Sequence, residues 1–254
     1  AIAYLVNRAD NEVSALTKLG IGIPGSLSPR TNLVRNANST WLIGKPLKQD
    51  LEKILKRDVL IENDANCFAI SEAFDGAGSR AHTVFGVILG TGVGAGIVIG
   101  KKLHKGKNKI AGEWGHNPLP WAHEGELPGK KCYCGRSGCL ETFISGPAIE
   151  REFKNLHGKH LNMKNIVKES GAGNLKAEQT IRKLEDRLAR ALAHVINILD
   201  PDSIVLGGGL SNIDRLYSNV PKIWAEYIFS DDVSTELSKA RFGDSSGVRG
   251  AAWL

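Results

Sequence analysis

An uncharged stretch of 18 residues, from Thr83 to Gly100, limits the folds open to this chain more than any other feature. Its length alone would nearly suit a membrane helix. Its composition does not suit a helix, because six of its residues are glycines and much of the remainder is β-branched. Both kinds of residue have a low helix propensity, and β-branched residues favour strands. The stretch therefore predicts two buried strands around a glycine turn, and no membrane span.

Strands and helices alternate along the rest of the chain. A short buried strand begins at Leu19 and ends at Pro24 and Gly25, and a strand over residues 58–62 leads into a helix over 63–74. The longest apolar stripe predicts a helix over 176–199, followed by a strand over 203–206. This alternation favours an α/β architecture with two similar lobes.

Charge excludes some classes of partner. Residues 1–127 contain 15 Lys and Arg against 12 Asp and Glu, and residues 128–254 contain 18 against 15, so each half carries +3. Such an even excess lacks the basic stripe of a nucleic-acid-binding protein. One run of five lysines lies within residues 101–109, and we interpret it as a solvated loop in preference to a phosphate-binding patch.

The cysteines suggest a metal site. Cys132, Cys134 and Cys139 lie within eight residues, and with His116 they form the ligand set of a closed, structural zinc site. The alternative is a group of buried free thiols beside an unrelated histidine. Reduced thiols favour a cytoplasmic location, and Cys67, within a predicted helix, is expected to be a small core residue.

Two glycine-rich segments follow apolar strands: Gly90-Thr91-Gly92 and Gly207-Gly208-Gly209. Glycine lets backbone N–H groups approach an anion closely, so both could hold a nucleotide, although either could equally be a tight turn. Three carboxylates lie at element boundaries: Asp64, Glu113 and Glu141. Asn63 or Asp64 could cap the following helix, and a carboxylate here could also accept a proton from an alcohol during phosphoryl transfer.

These motifs resemble the ROK family of sugar kinases. The resemblance covers the chain from about Leu19 to its last residue and is most specific where a Cys-x-Cys-Gly-x-x-Gly-Cys-x-Glu run accompanies a Glu-x-Gly-His segment. The matching segments are Gly22-Ile23-Pro24-Gly25, Glu62-Asn63-Asp64-Ala65-Asn66, Leu89-Gly90-Thr91-Gly92-Val93-Gly94, Glu113-Trp114-Gly115-His116, the run from Cys132 to Glu141, and Leu206-Gly207-Gly208-Gly209.

The resemblance implies an actin-like (ribonuclease H-like) two-lobed ATPase fold that binds sugar and ATP in the cleft, with Mg and structural Zn as cofactors. Residues 1–80 would form the remainder of the small lobe, with 243–254 returning to it, and 81–242 the large lobe. Asp64 is implied as general base, and His116 as both a sugar and a zinc ligand. The implied sugar ligands are Asn63, Glu113, His116, Glu141, Gly25 and Asn38, and the implied ATP-binding residues are Gly90, Thr91, Gly92, Gly207, Gly208 and Gly209.

Within the family, fructokinases that also accept mannose are the most similar, through segments such as Asn36–Trp41 and Gly243–Gly250. The alternatives are an N-acetylglucosamine kinase, suggested by Asn-Asp-Ala-Asn-Cys-Phe, a sugar-sensing repressor and a zinc-bearing sugar-binding remnant. We expect a homodimer without nucleic-acid or membrane partners. An Asp-x-Gly-Gly-Thr-Lys loop is implied before Gly22 but is not found, so we expect a fragment of a longer protein in preference to a natural truncation.

Overall fold

The computed structural model describes residues 2–15, 17–37 and 39–254. The helices are α1 (Ile2–Val13), α2 (Leu47–Leu55), α3 (Asp64–Phe74), α4 (Glu141–Ile144), α5 (Gly146–His157), α6 (Met163–Gly171), α7 (Leu175–Leu199), α8 (Arg215–Trp224) and α9 (Ser246–Ala252). The strands are β1 (Leu19–Ile23), β2 (Ser26–Leu27), β3 (Val34–Arg35), β4 (Val59–Asn63), β5 (Thr83–Leu89), β6 (Val93–Ile99), β7 (Lys102–Leu103), β8 (Ser203–Gly207) and β9 (Glu236–Lys239). Short 3₁₀ helices include Glu113–His116 and Gly209–Asn212.

The described strands fall into two groups, which we call the first lobe and the second lobe. In the first lobe β1 and β4 pair in parallel, and β2 and β3 pair antiparallel. In the second, β7, β6, β5, β8 and β9 form one sheet in that order. The predicted strands around the glycine turn are its antiparallel β5 and β6, and β8 pairs in parallel with β5. The parallel pairing brings the ends of β5 and β8, and the glycine segments that follow, to the same edge of the sheet.

Burial explains the long helix of the second lobe. The stripe that predicted α7 is buried in the hydrophobic core that also holds side chains of β5 and β8, and Leu184, Leu188 and Leu192 are almost fully removed from solvent. Asn174 caps its start by accepting from Lys176 and Ala177 N–H groups, and Asp200, with φ of 47°, ends it. Burial of this stripe and the cap at Asn174 therefore account for the length of α7.

Helix α3 lies between the lobes. One side packs on the second sheet through Phe68 and Ala69, and the other side contacts α9 and β1. The contact with α9 is so close that a Cβ on Gly250 would lie 1.6 Å from the Cys67 carbonyl oxygen. Cys67 is buried, as predicted for a core residue.

The five lysines of the basic run are exposed, as expected of a solvated segment, but two of them also make specific contacts. The Lys101 ammonium group donates to the carbonyl oxygens of Ala73 and Ser79, and Lys105 pairs with Glu62. All three partners, Ala73, Ser79 and Glu62, are distant in sequence, so no local pattern could reveal them. Among the described residues, no helix is both long and apolar enough to cross a membrane.

Candidate active site

A polar cavity of about 310 Å³ lies where the lobes meet. The first lobe contributes Gly25 and Asn36, α3 contributes its start, and the second lobe contributes the turn between β5 and β6 and the segment around the cysteines. Of the residues predicted from the sequence, those that line it are Gly25, Asn63, Asp64, Gly90, Thr91, Gly92, Glu113, His116 and Glu141. The fold thus brings together residues from five separated segments.

The start of α3 presents two polar side chains with different contacts. Asn63 is the N-cap: its Oδ1 accepts from the Ala65 and Asn66 N–H groups, and its Nδ2 donates to the Gly25 carbonyl oxygen at 3.0 Å. Because Asn63 caps the helix, Asp64 is left to face the cavity, with its Oδ1 accepting from the Ala65 N–H at 2.8 Å. The alternatives left open by the sequence are resolved: Asn63 caps and also holds Gly25.

Glu113 and His116 lie on one turn of 3₁₀ helix. This turn packs directly on β6, where a Cβ at Gly115 would lie 2.1 Å from the Val93 carbonyl oxygen. The close approach permits only glycine at that position, and it fixes both polar side chains at the cavity wall. In the Glu-x-Gly-His segment, the glycine is therefore required by packing on β6, and the glutamate and histidine are the residues that line the cavity.

Glu141 links the cavity to the glycine turn. It begins α4, and its Oε2 accepts from the Val93 N–H at 3.0 Å. The Gly146 N–H donates to the Gly90 carbonyl oxygen at 2.9 Å. These two bonds hold the Gly90-Thr91-Gly92 turn against the segment that follows the cysteines.

The four predicted metal ligands form one cluster. One donor atom from each of His116, Cys132, Cys134 and Cys139 lies within 4.8 Å of the others. His116 directs Nδ1 towards the thiols, at 3.5 Å from Cys132 Sγ, and its Nε2 lies 3.0 Å from the Tyr133 hydroxyl oxygen at the cavity wall. One imidazole thus joins the sulfur cluster to the polar cavity.

Not every predicted residue lines this cavity. The residues Gly207, Gly208 and Gly209 are not among those that line it, and Gly208 packs against the backbone of Leu89 at the end of β5. Asn38, a predicted sugar ligand, lies outside the described residues.

Sequence reasoning missed Asn36 and Tyr133, which also line the cavity. Asn36 has a positive φ of 55°, and Tyr133 lies between two cysteines of the motif. The position of Tyr133 inside the motif was a usable signal. Asn36 offered none, because its place depends on the β2–β3 pairing.

Burial in the cavity walls raises the pKa of Asp64, and hydrogen bonds from the backbone and Asn63 oppose the rise. Burial likewise raises the pKa of Glu113; His116 and Arg35 oppose that rise, whereas the Asp64 and Glu141 charges add to it. Desolvation and crowded carboxylates are typical of sites that move protons.

Comparisons with known proteins identify the family of the chain. The ROK family model matches residues 1–254. An N-acetyl-D-glucosamine kinase from Vibrio vulnificus is 40% identical, over 100% of this chain and 85% of its own length.

Two solved structures share the actin-like fold. A ROK hexokinase from Thermus thermophilus has a TM-score of 0.86 and 29% identity, covering 98% of this chain and 82% of its own. A ROK glucokinase from Streptomyces griseus, solved with glucose and AMPPNP, has a TM-score of 0.82 and 27% identity, covering 100% and 86%. The Vibrio vulnificus relative is an N-acetyl-D-glucosamine kinase, which is the kinase that the sequence analysis gave as an alternative to a fructokinase. The predicted fold and enzyme class, a sugar kinase, are confirmed, and the chain belongs to the ROK family.

Proposed function

We propose that this sugar kinase transfers a phosphoryl group from ATP to N-acetylglucosamine. One observation carries the proposal: Asp64 lines the same polar cavity as the proposed sugar ligands and the Gly90-Thr91-Gly92 turn. The identity to N-acetyl-D-glucosamine kinases over the whole chain supports the choice of sugar. Fructose remains in the test panel because of the segments that resemble fructokinases.

Each side chain has a proposed role. Asp64 accepts the proton of the attacking hydroxyl, because it is an acceptor open to the cavity. Asn63, Glu113, His116 and Glu141 hold the other sugar hydroxyls, and their hydrogen bonds orient the acceptor for in-line transfer. Gly25 contributes through its backbone, which Asn63 holds in place.

The glycine segments fit a nucleotide. A Cβ at Gly90 or at Gly209 would meet no atom within 4 Å, so open space lies beside both backbones. We assign Gly90, Thr91 and Gly92 to the phosphates and Gly207, Gly208 and Gly209 to the adenosine. When bound, ATP supplies the phosphoryl group and Mg²⁺ screens its charge.

The sulfur cluster fits zinc. One imidazole and three thiolates, all within 4.8 Å, match a closed tetrahedral site and leave no position for a catalytic water. Zinc would stabilise the fold of this segment, and through His116 it would also fix one wall of the sugar site. The required thiolates suit the reducing cytoplasm, where we place the protein.

We propose the lobe boundaries expected from the sequence: 1–80 with 243–254, and 81–242. The packing of α9 on α3 and β1 supports the return of the last segment to the first lobe. We also propose a homodimer. Its support is a wider, mostly apolar cavity of about 960 Å³ that adjoins the polar one and shares Glu113, His116 and Tyr133 with it. The lining also includes the exposed Ile43, Ile110 and Ile198.

The sugar assignment is tested by measuring ADP release from the full-length protein with N-acetylglucosamine, glucose, mannose and fructose. We expect the highest kcat/KM for N-acetylglucosamine. Asp64→Asn should lower kcat by about 10²- to 10⁴-fold, the usual contribution of a general base. A higher kcat/KM for another sugar would contradict the substrate, and an unchanged kcat in the variant would remove Asp64 from its role.

Zinc is tested separately. Elemental analysis should find roughly one zinc ion per chain, since four ligands make one tetrahedral site. Cys134→Ser should lower both the zinc content and the affinity for sugar, whereas Cys67→Ala, outside the cluster, should keep the zinc. Loss of zinc with normal sugar affinity would contradict the coupling through His116.

A further inference from the structure

The segment of residues 104–112, named here the bridging loop, connects β7 to the turn that bears Glu113 and His116. It contains three of the five lysines of the basic run: Lys105, Lys107 and Lys109. The loop belongs to the second lobe, yet its charged contacts are made with the first. It therefore spans the cleft immediately before two of the proposed sugar ligands.

Lys105 pairs with a buried carboxylate of the first lobe. Its Nζ lies 2.6 Å from Glu62 Oε2, and Glu62, on β4, is only 9% exposed. The other oxygen, Oε1, accepts from the Asn63 N–H at 2.9 Å and from Asn66 Nδ2 at 3.0 Å. Glu62 thus holds the backbone directly before Asp64, and the ammonium group of Lys105 balances the negative charge of Glu62. A buried carboxylate without such a partner is costly.

A second contact crosses the cleft in the opposite direction. Arg35, on β3, donates from its guanidinium group to the Asn108 carbonyl oxygen at 3.0 Å and to Ser26 Oγ at 3.3 Å. The first lobe therefore holds the bridging loop at two points. By contrast, Lys107 and Lys109 are exposed and have no ion-pair partner among residues 2–15, 17–37 and 39–254.

We propose that Lys105 is a positioning residue of the sugar site: its pairing with Glu62 favours the conformation in which the bridging loop, and with it Glu113 and His116, lies against Asn63 and Asp64. The proposal rests on the proposed function only in that this cavity binds the sugar. If only a fraction of the molecules is in the conformation that binds a ligand, the apparent affinity falls by that fraction. Saturating ligand draws all molecules into the binding conformation. Loss of the pair should therefore raise KM for sugar and leave kcat nearly unchanged.

The test compares Lys105→Met with Lys107→Met in the full-length protein, using the sugar that the wild type phosphorylates most efficiently. We expect KM for sugar to rise about tenfold in Lys105→Met, with kcat within about twofold of the wild type. Sugar binding measured by calorimetry without ATP should weaken by the same factor. Lys105→Arg should restore most of the affinity, and Lys107→Met should match the wild type.

A second variant keeps the test open if Lys105→Met unfolds. Glu62→Gln combined with Lys105→Met leaves no unpaired buried charge, so it should fold and still show the raised KM. Equal KM values for Lys105→Met and Lys107→Met, or a lower kcat at unchanged KM, would overturn the proposal. The sugar for this test is chosen from the rates of the wild type. If N-acetylglucosamine is the wrong substrate, the wild-type rates show it, and the comparison of the variants still tests the role of Lys105.

Discussion

At the scale of single residues, the site depends on two neighbours, Asn63 and Asp64, that make different contacts. Asn63 satisfies the N–H groups at the start of α3, and its amide also reaches Gly25. Asp64 is thereby left with one bond to the helix start, from the Ala65 N–H to its Oδ1, and lines the cavity. A helix start usually leaves several N–H groups to be satisfied, and an aspartate in the cap position would give its oxygens to them. The proposed role of Asp64 as proton acceptor therefore depends on an asparagine directly before it that caps the helix.

Asp64 should also carry a cost in stability. Burial raises its pKa in the folded protein, so the folded state binds this proton more readily than the unfolded chain does. The ionised carboxylate consequently destabilises the fold at neutral pH, and this cost disappears as pH falls below the pKa of the unfolded chain. Asp64→Asn should therefore raise Tm at pH 7, and the difference should shrink towards pH 4. Scanning calorimetry over this range checks the sign, and a variant less stable at pH 7 would contradict it.

The same raised pKa predicts the pH dependence of the reaction. Asp64 can accept a proton only when it is ionised, so kcat/KM should fall on the acid side at a pH above the ordinary range of an exposed aspartate. Initial rates at saturating ATP between pH 4 and 9 measure this limb. An acid limb at or below the ordinary aspartate value would show that burial does not govern this group.

At the scale of elements, periodic and glycine-punctuated segments were predictable. Helix α7, the pair β5 and β6, and strand β8 followed from their patterns to within one or two residues. The motif residues around Asp64 and the cysteines also came together as predicted. What could not be predicted depends on distant partners: Lys105 looks like a solvated lysine until Glu62 is folded beside it.

The crossing of α3 and α9 gives a test at this scale. Gly250→Ala would place a methyl group 1.6 Å from the Cys67 carbonyl oxygen, so the helices must separate. We expect the unfolding free energy to fall by about 1–3 kcal/mol, the usual cost of overpacking. Gly247→Ala, in the same helix, meets no atom within 4 Å and should be neutral or stabilising by about 0.5–1 kcal/mol. Equal denaturation midpoints for the two variants would contradict the tight crossing.

At the scale of the whole molecule, the proposed homodimer gives the clearest expectation. Ile198 is 74% exposed and lines the larger, mostly apolar cavity, where a second copy would cover it. Sedimentation should find twice the mass of one chain for the wild type. Ile198→Glu should shift the protein towards the single-chain mass, because association would bury an unpaired charge. A wild type of single-chain mass, or a variant that stays dimeric, would contradict a dimer through this surface.

The ligands that we propose for the sugar in the second lobe, Glu113, His116 and Glu141, lie within one continuous stretch, residues 101–145, between β6 and α5. The proposed proton acceptor lies elsewhere, on α3. Three of the proposed sugar ligands therefore exchange together with this one segment, while Asn63, Gly25 and the proposed proton acceptor stay in place. Grafting this stretch from a glucose-selective relative should carry sugar preference with it.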